Sequence, residues 1–61
     1  MKVRQLIALL ESQGWFQARQ KGSHRQFRHP AKKGTVIVSG KSNVDVPIGT
    51  LQSLLEQAGL K

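Results

Sequence analysis

Residues 15–39 read WFQARQKGSHRQFRHPAKKGTVIVS, and the punctuation inside this stretch decides the fold. Lys21-Gly22-Ser23 and Pro30-Ala31-Lys32-Lys33-Gly34 are turn signals. Glycine tolerates positive φ, and proline ends a strand because it has no N–H for the ladder. They delimit three short extended segments, predicted over about Trp15–Gln20, His24–His29 and Thr35–Ser39. The last contains Thr-Val-Ile-Val, the most β-prone run in the chain. Connections of hairpin length make the three strands antiparallel neighbours.

The flanks are helical. Val3, Leu6, Ile7 and Leu10 follow the i, i+3, i+4, i+7 spacing of one buried face, which predicts a helix over about Lys2–Gln13. Gly14 sits where a left-handed residue ends it. Gly40–Val46 is a polar loop. Asp45 or Val46 is then expected to cap a second helix, with Pro47 in its first turn and Leu51, Leu54, Leu55 and Ala58 on its apolar stripe. Gly59 stops that helix, and Leu60 folds back onto Leu55. The order is therefore α-β-β-β-α, an α+β fold with a three-stranded antiparallel sheet. Each helix has one apolar stripe, so both cover one sheet face and the other face is left to solvent.

At 61 residues the chain forms a single domain, 1–61. A chain this short buries only roughly 60% of its unfolded surface, and without cysteine it has neither a disulfide nor a thiolate zinc site to reinforce the core. No apolar run approaches the ~20 residues of a membrane span. The N-terminal residues lack the apolar core of a signal peptide. A soluble protein of the cytoplasm is expected.

Ten Lys and Arg face three Asp and Glu, for a net charge of +7. In so small a domain this marks a polyanionic partner. The excess is concentrated. Arg19, Lys21, Arg25, Arg28, Lys32 and Lys33 fall in one stretch without an acid, while Glu11, Asp45 and Glu56 lie outside it.

Side chains alternate across a sheet. In the middle strand Phe27 is the one large apolar residue and must face the helices, with Arg25 and His29 on its parity. His24, Gln26 and Arg28 then line the open face, in steps of ~7 Å. These side-chain types recognise phosphates and bases. His24 also follows Gly22-Ser23, a turn whose backbone permits close approach of a phosphate. His29 is read instead as packing against a helix end or as a surface residue. Trp15 and Phe16 are available to stack on bases, although in a thin core an aromatic side chain is more often structural.

Paired carboxylates, a nucleotide-binding glycine loop and a Ser-His-Asp order are all absent. His24 and His29 lie on opposite faces and do not combine into a zinc site. One proton-transfer group in a cationic field matches internal transesterification of RNA, in which the ribose 2′-OH attacks its own phosphate. No metal or other cofactor is expected.

Gly14-Trp15, Arg19-Gln20-Lys21-Gly22-Ser23-His24, Phe27-Arg28-His29-Pro30, Gly34-Thr35-Val36, Pro47 with Gly49-Thr50-Leu51, and Gln57-Ala58-Gly59-Leu60 together resemble the HicA toxins of HicA–HicB toxin–antitoxin systems. The resemblance runs nearly end to end. It implies a double-stranded-RNA-binding-domain-like fold and an mRNA interferase that arrests growth. It also implies neutralisation by a HicB-type antitoxin that covers the active face. The family's catalytic histidine is the one in Gly-Ser-His, which falls on His24. Lys21, Gly22, Ser23, Arg19, Gln26 and Arg28 are the RNA-binding candidates around it.

One stretch departs from the pattern. Relatives often carry a histidine-containing loop after the third strand, where this chain reads Val38-Ser39-Gly40-Lys41, and Lys41 is the only cation on offer there. The second helix opens without a lysine cluster, which disfavours duplex RNA and points to single-stranded regions. The competing readings are a non-catalytic RNA-binding module of the same fold and a domain that binds an acidic protein.

Overall fold

The computed structural model describes residues 1–61. Helix α1 spans Val3–Ser12, and strands β1, β2 and β3 span Phe16–Lys21, His24–His29 and Lys32–Val38. Helix α2 spans Ile48–Gln57. The strands lie in the order β1-β2-β3, antiparallel throughout, so the expected α-β-β-β-α fold is the one formed.

Both helices end as their glycines predict. At the end of α1, Gly14 adopts φ +93, its N–H donates to Glu11 O (3.1 Å), and the Trp15 N–H donates to Leu10 O (3.0 Å). At the end of α2, Gly59 adopts φ +72, its N–H donates to Glu56 O (3.0 Å), and the Leu60 N–H donates to Leu55 O (2.8 Å). These are paired Schellman bonds, which satisfy carbonyls that a helix end would otherwise leave bare.

The starts differ from expectation. Asp45 does not cap α2. Its backbone bridges to Lys2, and its Oδ2 lies 3.3 Å from Lys2 Nζ. Pro47 takes the N-cap position instead, and its carbonyl accepts the Leu51 N–H at 2.8 Å. The physical reason is that the loop before α2 is committed to α1. Val44 O accepts the Val3 N–H (2.9 Å) and Ser42 O accepts the Arg4 N–H (3.0 Å), so the loop supplies acceptors for two first-turn amides of α1. Gln5 Oε1 accepts the Lys2 N–H at 2.7 Å and completes that cap.

The third strand also begins earlier than expected, at Lys32. Its turn is only Pro30-Ala31, and the extra residues are taken up within the strand, where the register slips between Phe27 and His29 and Gly34 adopts φ +90. A strand bulge thus replaces the longer loop, which glycine's left-handed freedom permits.

Val3, Leu6 and Leu10 from α1, Trp15, Phe27 from β2, Val36 and Val38 from β3, and Leu54 and Ala58 from α2 form one core with no buried polar residue. Phe27 and Val36 are cross-strand partners, so the sheet contributes one face to this core. The opposite face carries no helix.

Candidate functional site

Directly opposed residues in an antiparallel pair point to the same side of the sheet. On β2 and β3, Phe27 pairs with Val36 and Arg25 with Val38, all on the helix side, while Gln26 pairs with Ile37 on the open side. On β1, Lys21 opposes His24, Arg19 opposes Gln26, and Phe16 opposes Arg28. The open face is therefore a grid. One end carries Lys21 and His24, the centre Arg19, Gln26 and Ile37, and the other end Phe16 and Arg28.

A β-bulge makes this grid. The register of β1 shifts between Gln17 and Arg19, so Ala18 is inserted. Strict alternation would place Phe16 on the face opposite Arg19 and Lys21. The bulge reverses the parity and brings all three to the open side.

Within the grid lies a shallow cavity of about 550 Å3, lined by Arg19, Gln20, Lys21, His24, Gln26 and Ile37. His24 is exposed at its rim, beside the Gly22-Ser23 turn. Gly22 adopts φ +59 and Ser23 has negative φ, the pattern in which a two-residue type II′ turn continues the twist of a hairpin. The Gln20 side-chain amide donates to Gly22 O at 3.0 Å, and Gln17 Nε2 donates to Gln20 Oε1 at 3.1 Å, which braces the turn from β1.

Of the residues singled out by sequence, Arg19, Lys21, His24 and Gln26 meet around the cavity. Gly22 and Ser23 form the adjacent turn without lining it. Arg28 shares the face but stands at its far end, opposite Phe16. Arg25, adjacent to His24 in sequence, belongs to the helix side, so its charge is not delivered to the open face; its Nη1 is buried without a hydrogen-bond partner. Lys41 is not among the lining side chains. Sequence reasoning did not select Ile37, which is 48% exposed between buried Val36 and Val38. The alternation in Thr-Val-Ile-Val was the signal available for it.

The two aromatics at the start of β1 separate. Trp15 is buried, and Phe16 is 49% exposed on the open face. His29 is structural. Its Nε2 lies 2.9 Å from Gln13 O, its Nδ1 accepts the Ala31 N–H at 3.0 Å, and its ring meets Trp15 edge-on at 5.3 Å between centroids. No three His, Asp or Glu side chains gather anywhere in the chain.

The site thus presents one imidazole, two amides and two cations around a concave surface, with no carboxylate among the lining residues. That set can attract a phosphodiester, exchange a proton with a hydroxyl beside it, and offer donors to charge developing on its oxygens. A family model described as HicA toxin of bacterial toxin–antitoxin matches residues 3–60. No curated protein matches the chain.

Proposed function

Since the chain belongs to the HicA toxin family of bacterial toxin–antitoxin systems, we propose that it is an endoribonuclease that cleaves mRNA without a metal ion, with His24 as the catalytic acid–base. The observation that carries this reading is the exposed His24 imidazole at the rim of a cavity whose other lining side chains include Arg19, Lys21 and Gln26 and no acid.

The imidazole takes the proton of a ribose 2′-OH. The O2′–P bond forms, the P–O5′ bond breaks, and the leaving 5′-oxygen is protonated from the solvent-open side of the groove. The products are a 2′,3′-cyclic phosphate and a free 5′-OH. Arg19 and Lys21 stabilise the negative charge that grows on the phosphoryl oxygens. Gln26 holds the phosphate or a base edge. Gly22 and Ser23 leave backbone room for the chain of the RNA, and Arg28 anchors a phosphate farther along the face. DNA has no 2′-OH, so the same groups leave it intact.

The substrate is single-stranded mRNA in the cytoplasm. A HicB-type antitoxin silences the enzyme by covering the open sheet face and occluding His24. No helix of the protein is long and apolar enough to cross a membrane.

The test is incubation of a single-stranded RNA with the protein in excess chelator, with end-group analysis of the fragments. Cyclic phosphate termini, and their loss in His24→Ala, are expected. Cleavage that vanishes on chelation moves the chemistry to a metal, and cleavage that survives His24→Ala removes His24 from it. RNA that is bound but never cut leaves a non-catalytic binding module of the same fold.

A further inference from the structure

Phe16 is the one aromatic side chain that the fold turns away from its core. Trp15 and Phe27 are 2% and 0% exposed, and Phe16 is 49% exposed. It is on the open face only because of the bulge at Ala18, which interrupts the β1–β2 ladder and reverses the side-chain parity. Both features, an interrupted ladder and an aromatic ring left in water, work against stability, and neither contributes to the core.

The cross-strand partner of Phe16 is Arg28. An aromatic ring and a guanidinium plane are the two side-chain surfaces on which unstacked bases lie. The pair shares its face with Arg19, Lys21 and His24, in a protein of net charge +7. That charge selects a polyanion as the occupant.

We propose that Phe16 and Arg28 form a stacking platform for one unpaired base of the RNA, flanking the cleaved linkage. The proposal rests on reading this face as an RNA site. Arg28 is four residues from His24 along β2, or ~14 Å at strand rise. The base on the platform is therefore a neighbour in the strand and not part of the cleaved dinucleotide step. A base can lie on Phe16 only when it is out of a duplex stack, so the platform makes single-stranded RNA the substrate class. Phe16 is a positioning residue: it sets which linkage reaches His24.

Binding is measured in the His24→Ala background, so that RNA stays intact and the result is independent of cleavage. The probe is a short single-stranded oligoribonucleotide, together with the same oligomer made abasic at successive positions. Phe16→Ala is expected to raise Kd about 5- to 150-fold, the range for loss of one base–aromatic stack. Phe16→Trp keeps the affinity and Phe16→Leu, which retains apolar area without a π face, loses it. One abasic position weakens binding to the Phe16-containing protein and has no further effect on Phe16→Ala. The slope of log Kd against log salt does not change with Phe16→Ala, whereas Arg28→Ala lowers it by about 0.7.

An unchanged Kd in Phe16→Ala overturns the proposal, as does a Phe16→Leu protein that binds like the parent. So does a Phe16→Ala protein that binds RNA normally and escapes its antitoxin, which would assign the ring to a protein partner. In the His24-containing protein, Phe16→Ala is expected to spread cleavage over more linkages. If nothing is cleaved but the abasic effect persists, the nuclease reading fails and the platform stands.

Discussion

The imidazole of His29 joins the end of α1 to the β2–β3 turn: Nε2 lies 2.9 Å from Gln13 O while Nδ1 accepts the Ala31 N–H at 3.0 Å. These contacts assign the roles of both ring nitrogens. Nε2 carries the hydrogen and donates to the Gln13 carbonyl, and Nδ1 is the acceptor. The same ring lies edge-on to Trp15. Replacement by alanine leaves the Gln13 carbonyl and the Ala31 amide without these partners, at a cost of about 1–3 kcal/mol. Urea unfolding of His29→Ala checks this. RNA binding at saturating protein is expected to be unchanged, because His29 takes no part in the open face.

Gly14 and Gly22 both have positive φ, yet they differ in what surrounds them. A Cβ at Gly14 would stand 2.7 Å from His29 Nε2, and a Cβ at Gly22 meets nothing within 4 Å. Gly22→Ala therefore bears only the backbone strain of about 1–2 kcal/mol. Gly14→Ala must in addition displace His29, and is expected to be the more destabilising of the two. Thermal denaturation ranks them.

The assignment of the two sheet faces is open to a direct check. Phe27→Ala empties the centre of the core and is expected to cost about 3–5 kcal/mol. Ile37→Ala, on the open face, is expected to stay within about 0.5 kcal/mol. Unfolding free energies that fail to separate in this way would contradict the assignment of the two faces.

Three cations, Arg19, Lys21 and Arg28, share the open face, and Arg25 does not. At ~0.7 per phosphate contact on a single strand, the log–log salt dependence of RNA binding is expected near −2. Arg19→Gln is expected to bring it to about −1.4 by the same rule. Arg25→Gln is expected to leave it in place. A fluorescence titration at several salt concentrations reads these slopes.

Much of the architecture was legible without coordinates because it follows from short-range chemistry. The spacing of Val3, Leu6 and Leu10 can bury itself only as a helix face, Gly14 and Gly59 end helices because they alone tolerate left-handed φ there, and Phe27 had to turn inward as the one large apolar residue of its strand. That last constraint also set His24 and Gln26 outward. Gly14, His24, Phe27 and Gly59 also carried part of the family resemblance. Register was not legible. The bulge at Ala18, the shortened Pro30-Ala31 turn and the loan of the Ser42 and Val44 carbonyls to α1 depend on how separate segments meet, and no local pattern encodes them. Tertiary structure alone therefore decided that Trp15 is core and Phe16 is exposed, that Ile37 lines the cavity, and that Asp45 pairs with Lys2 instead of capping α2. One inserted residue reverses every side chain beyond it, so the make-up of the open face was settled by strand pairing, a long-range property.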